Sequence, residues 1–294
     1  MRLTKSGTRP CGLPCGGEQA RTASPSDRDF VKRRIMGKLK MTTMRNYILT
    51  ILTFFCSLTL FAENKLAIIK DPDGFTFVRS GQGKDFNVVD TLFTEDFFYF
   101  QFIDNSEWTK ITAWKGRQIE GFVHKSRVQE VEKLDNKKQR ELITKTLERH
   151  RILADNFQSA WKSKDSLAYR TTVRQLEFHS DTKYAPILTI LPKYFCSTND
   201  IEVLQFFFAT MWADKGSANE MPSFSIGSCF ICNPDLVVEQ LTKIKNIEQK
   251  KFIFDHIEWG LLNNFDVDEN GKSDNKEFNK LKERLDNERK KASP

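Results

Sequence analysis

The chain has 294 residues, with 46 Lys+Arg against 39 Asp+Glu, a net charge of +7, 39% hydrophobic and 29% charged residues. That is globular composition. It excludes wholesale disorder and a collagen-like fibre, and the length allows one to three domains. A basic excess ordinarily points to nucleic acid or an acidic surface. Here it is confined to one end: positions 1–62 hold 11 Lys/Arg and 3 Asp/Glu, leaving 35 and 36 in the rest. The body is near neutral, so charge argues against nucleic acid as a partner.

Residues 1–43 read as a leader rich in Arg, Ser, Gly and Pro, and residues 44–62 as an export signal. Met36, Met41 and Met44 each open a better signal than Met1, so translation is expected to start at one of them. The apolar run 48–61 (ILTILTFFCSLTLF) follows Lys38, Lys40 and Arg45 and ends at Ala62, before Glu63-Asn64-Lys65. A basic region, a short apolar core and a small residue at the cut describe a secretory signal. The run falls short of the ~20 residues a spanning helix takes. The expectation is export to the periplasm or beyond, with no stable membrane span after cleavage; an uncleaved anchor is the alternative. Cys11, Cys15 and Cys56 fall in this stretch, which leaves Cys196, Cys229 and Cys232. Three cysteines make no disulfide framework, but one bridge and one free thiol suit an oxidising compartment.

Between 64 and 130 short strands alternate with turn signals. Strand patterns cover 65–70, 75–79, 86–92, 97–103, 108–114 and 119–124. Asp71-Pro72-Asp73-Gly74, Ser80-Gly81-Gln82-Gly83 and Lys115-Gly116-Arg117 supply the turns. Phe98, Phe100 and Phe102 fall on one face at period two. Such spacing predicts a small antiparallel barrel.

Four segments carry a resemblance: Asp73-Gly74; Val78-Arg79-Ser80-Gly81-x-Gly83; Trp108-x-Lys110-Ile111; and Gly121-Phe122-Val123-His124-x-Ser126-Arg127-Val128. In order and spacing, the stretch 64–130 resembles the bacterial SH3-like domain. Gln82 and Phe122 depart from the usual Pro and Tyr or Trp. The resemblance implies a binding module on an exported protein, with exposed aromatics as contact candidates: Phe75, Tyr99, Trp108 and Trp114. Trp108 matches a position tied to packing and is the weakest of the four, and Arg79 is expected to be structural.

From 131 to 294 the pattern turns helical. Ile143, Leu147, His150, Leu153, Phe157 and Trp161 recur at helical spacing, which predicts one long helix over 135–163. Further helices are expected at 165–178, 184–195, 199–213, 220–232, 235–245 and 248–265. His150 on this apolar stripe reads as a satisfied interface histidine. Cys229-Phe-Ile-Cys232 lies in a run that reads as buried helix. Packing is therefore expected, with a bridge to Cys196 or a redox or metal role as alternatives.

Residues 266–277 place oxygen donors where a calcium loop needs them. Asp266, Asp268, Asn270, the Lys272 carbonyl, Asp274 and Glu277 occupy positions 1, 3, 5, 7, 9 and 12, with Gly271 at the bend. Ile257, Leu261 and Phe265 line an entering helix, and Phe278, Leu281 and Leu285 an exiting one. The stretch 250–290 thus resembles an EF-hand, except that Ser273 stands where an aliphatic residue would pair a second loop. One solitary calcium (Ca2+) site is expected; a metal-free polar turn is the alternative.

The fold class expected is multidomain α and β: signal, SH3-like β-barrel over 64–130, then an all-α domain over 131–294. The functional expectation is an exported, non-enzymatic binding protein engaging a cell-envelope component, either peptidoglycan or a protein partner. The competing readings are a cell-wall hydrolase, for which no nucleophile motif is visible, and a calcium-responsive sensor.

Overall fold

The computed structural model describes residues 65–217 and 219–292. The expected leader, export signal and first three cysteines lie outside the described residues. The chain from Glu63 onward forms one compact unit. Among the described residues no helix is long and apolar enough to cross a membrane.

The described residues begin with seven antiparallel strands: β1 (Lys65–Ile69), β2 (Phe75–Arg79), β3 (Val88–Phe93), β4 (Phe98–Phe102), β5 (Trp108–Trp114), β6 (Gln118–His124) and β7 (Val128–Glu130). Their order is β3-β2-β6-β5-β4-β1-β7. The antiparallel pairing expected from the turns is present. The ladder is open, with β3 and β7 as its edges, so the expected closure into a barrel is not seen. The extra strand β7 is too short to show an alternation, and is held by pairing to β1 from Ala67↔Glu130 to Ile69↔Val128.

The apolar run of β1 is buried on both faces, as a continuous hydrophobic strand demands. Ala67 and Ile69 join Val78, Leu92, Phe98, Phe100, Ile111, Ile119 and Val123 in a core belonging to the sheet. Leu66 and Ile68 point the other way, into the helical core. β4 divides likewise: Phe98 and Phe100 enter the sheet core, and Tyr99 faces the helices. Phe102, on the same face by period two, lies exposed at the strand end. Gly121 on β6 is required by close approach, since a Cβ there would stand 2.6 Å from the Arg79 carbonyl oxygen.

Eight α-helices follow among the described residues: α1 (Asn136–Ser163), α2 (Ser166–His179), α3 (Ala185–Thr198), α4 (Ile201–Ala213), α5 (Met221–Cys232), α6 (Pro234–Thr242), α7 (Ile247–Asn264) and α8 (Lys276–Ala292). Short polar residues start most of them. Asp135, Asp165, Asp200, Asn233 and Asn246 each accept a backbone N–H of the following first turn. Lys164, in the left-handed region at φ 59°, ends α1. A π-helical turn, Ser180–Tyr184, joins α2 to α3 without a break. The helical core is rich in aromatics: Tyr184, Phe195, Phe207, Phe208, Phe230, Phe254 and Phe278 are buried in it. At the α5–α7 crossing the backbones nearly touch, since a Cβ on Gly227 would lie 2.5 Å from the carbonyl carbon of Gly260.

Candidate functional site

Phe75 and Phe77 alternate with inward residues on β2, so both rings stand outside, 37% and 43% exposed, with centroids 5.5 Å apart. β5 and β6 pair Trp108 with His124 across the ladder, and those rings meet edge to face at 5.6 Å. Together with Arg79, Lys84 and the turn residues Asp71 and Asp73, they line one depression on the sheet. Its rim carries both signs of charge. Arg127 Nη1 lies 2.7 Å from Asp71 Oδ1, an ion pair whose acid is nearly buried. Arg79 Nη1 donates to the Phe86 carbonyl at 2.8 Å and its guanidinium lies over the Phe77 ring, so Arg79 has the structural role expected of it. Ser126 N–H donates to His124 Nδ1, which fixes the imidazole at the groove edge. An aromatic floor with acid and base on the rim can hold an extended, dipolar segment by stacking and ion pairing.

Of the four aromatic candidates, the fold brings two together in this depression, Phe75 and Trp108. Tyr99 packs against the helical core, where burial raises its hydroxyl pKa against the opposing Thr189 hydrogen bond. Trp114 sits at the opposite end of β5 from Trp108. Sequence reasoning missed Phe77, although its period-two relation to Phe75 was available, and His124, whose place depends on the cross-strand register.

The helix–loop–helix near the C-terminus is built as expected at its flanks. Ile257, Leu261, Phe278, Leu281 and Leu285 are buried, and Phe265 meets Phe278 edge to face at 5.6 Å. Gly271 takes φ +71° at the bend. Asp266, Asp268, Lys272 and Asp274 line one depression. Asp268 Oδ1 accepts the N–H groups of Asn270 and Lys272, and Asp268 N–H donates to the Lys272 carbonyl at 2.8 Å. Ser273 Oγ donates to the Asp266 carbonyl at 2.6 Å, closing the loop on itself. Asn275 Oδ1 accepts from Glu277 N–H and Phe278 N–H, starting α8. Among the described residues no three His, Cys, Asp or Glu side chains are gathered closely enough to hold a metal ion. Five of the six expected donors are thus on one loop and Glu277 is in the first turn of α8, while the Asp268 carboxylate is turned toward its own backbone. These oxygen donors are of the type a hard cation takes, but they are not drawn into one shell: Asn270 and Glu277 do not line the depression, and the Lys272 carbonyl is engaged by Asp268 N–H.

Cys196 and Cys232 form a disulfide, with Cα atoms 5.7 Å apart. This replaces simple packing for Cys232 but not for Cys229, which is buried with its thiol pKa raised by desolvation. His150, expected to be satisfied, is so at one nitrogen only: Nε2 lies 3.1 Å from Asp214 Oδ2 and the ring stacks on Tyr184 at 3.6 Å, while Nδ1 is buried without a hydrogen-bond partner. Beside it, burial first, then the charges of His150, Arg149 and Lys183, depress His179 to about 3. Ser223 Oγ and His256 Nδ1, 2.5 Å apart, tie α5 to α7. Compared with protein-family models, curated proteins and solved structures, the chain matches none.

Proposed function

We propose that this is an exported, non-enzymatic binding protein whose SH3-like sheet module takes a cell-envelope ligand in the groove between Phe75 and Trp108. The observation that carries this reading is the convergence of Phe75, Phe77, Trp108 and His124 on one depression whose rim holds Arg79, Lys84, Asp71 and Asp73. Buried folding roles do not account for the exposed Phe75 and Phe77 rings. The ligand class that suits the groove is an extended peptide carrying both charges, as in a peptidoglycan stem or a protein segment. The helical region then serves as the platform: it covers the opposite side of β1 and β4 and leaves the groove open. Calcium, bound through Asp266, Asp268, Asn270, the Lys272 carbonyl, Asp274 and Glu277, would supply positive charge that draws the loop carboxylates together and stabilises α7 against α8.

The test is binding of the chain from Glu63 onward to purified peptidoglycan and to envelope extract. Trp108→Ala and Phe75→Ala should each weaken binding roughly tenfold or more, as buried aromatic anchors do, while Trp114→Ala should leave it unchanged. Equal effects at Trp108 and Trp114, or cleavage of the peptidoglycan, would refute the reading.

A further inference from the structure

Helix α2 has no buried residue, and the last turns of α1 bury only Ala160. The junction between them nevertheless carries the two most exposed large apolar side chains among the described residues, Trp161 at 63% and Leu167 at 74%. A single exposed apolar side chain is ordinary, whereas two such large ones at one helix junction are a surface feature to account for. The same stretch of chain carries Lys162, Lys164, Arg170 and Arg174, all exposed and in no salt bridge among the described residues. The acid at the tip, Asp165, is occupied in accepting Leu167 N–H and Ala168 N–H. Trp161 is held against Tyr169 of α2, ring centroids 5.4 Å apart, so the indole is set in place rather than trailing in solvent.

We propose that this hairpin tip docks on an anionic lipid surface, with Trp161 and Leu167 entering the headgroup boundary and the four cations meeting lipid phosphates. Trp at a bilayer interface, Leu beneath it and Lys or Arg reaching back to the headgroups form the pattern of a peripheral membrane contact. Area favours lipid over a protein partner. A stable protein interface takes about 20–30 residues a side, far more than the tip from Trp161 to Arg170 offers. A bilayer asks for no matching shape. Charge favours an anionic surface, because four cations stand against the one carboxylate of Asp165 between positions 161 and 174, and each surplus cation adds to the attraction.

The experiment is flotation of the chain from Glu63 onward with phosphatidylglycerol–phosphatidylcholine vesicles and with phosphatidylcholine alone. Binding should occur with the anionic vesicles, fall at least about tenfold in the double variant Trp161→Ser/Leu167→Ser, and fall similarly in Lys162→Glu/Lys164→Glu or in high salt. Both variants change exposed residues, and unchanged melting confirms that they are folded. Absence of binding to anionic vesicles, equal binding to both vesicle types, or binding insensitive to both variants overturns the proposal. So does concentration-dependent self-association abolished by Trp161→Ser/Leu167→Ser, which would assign the tip to a second copy of the chain. Groove variants such as Trp108→Ala should not alter flotation, so the two readings fail separately.

Discussion

The sheet and the helices differ in how many of their aromatic residues they bury. In the helical region Phe195, Phe207, Phe208, Phe230 and Phe278 are inside, each surrounded by other core side chains. In the sheet Phe98 and Phe100 are inside, while Phe75, Phe77, Phe93, Phe102 and Trp114 are exposed, as is Phe86 in the β2–β3 loop. A sheet of short strands closes its interior with a few side chains from alternate positions, and aromatics at the other positions face outward. The helices present wider apolar stripes to one another and absorb most of theirs, leaving Trp161, Phe178, Phe224 and Trp259 exposed. An aromatic residue therefore marks a core more often in the helical region than in the sheet.

The sharpest way to break this comparison is truncation on each side of it. Phe230→Ala should cost about 3–5 kcal/mol, the lost transfer energy plus a cavity, whereas Phe77→Ala should stay within about 1 kcal/mol. Denaturant unfolding of the two variants measures both, and equal costs would overturn the contrast. The disulfide comes next, because it acts on the helical region alone. Cys196 and Cys232 are separated by 36 positions in the chain. Breaking the bridge with Cys232→Ser should cost about 3–4 kcal/mol on the chain-entropy argument. Melting with and without reductant reads the same quantity; no shift would mean that the thiols are not paired in solution.

A pH series sharpens the contrast further, since the depressed histidines are all helical. His179 is held at about 3, while an unfolded histidine titrates at about 6.5. Between those values the unfolded chain binds the proton and the folded chain does not. Stability is therefore present above about pH 6.5 and declines as pH falls toward about 3. His256, lowered by burial, acts in the same direction. His179→Gln should flatten this decline relative to wild type, as measured by melting temperature on going from neutral to mildly acidic buffer; an identical slope in both proteins would contradict it. The smallest effect is expected at the α7–α8 loop. Millimolar calcium should raise the melting temperature by a few degrees, with Glu277→Ala abolishing the rise. A large change in shape or exposed apolar surface instead would favour the sensor reading.

Much of the secondary structure could be read from the chain. The expected helices over 135–163, 165–178 and 199–213 agree with α1, α2 and α4 to within a residue or two, because Asp135, Asp165 and Asp200 are local start signals. The expected strand 108–114 is β5 as observed. The π-helical turn was not visible, since a widened turn leaves the apolar spacing nearly unchanged. The groove was half visible: Phe75 and Trp108 were chosen for exposure, but so were Tyr99 and Trp114, which the strands carry to other places.

Capping, turn chemistry and periodicity depend on neighbours a few residues away, and for that reason the amino-acid order by itself determined where the helices and most strands lie. It also determined the candidate calcium donors, which lie on one short stretch. Contacts made across the chain were decided only in three dimensions. Among these are the open order of the sheet, the two buried faces of β1, the pairing of Cys196 with Cys232 and the meeting of Gly227 with Gly260. Each depends on which surfaces exclude water together, and that is a property of the assembled core rather than of any segment within it.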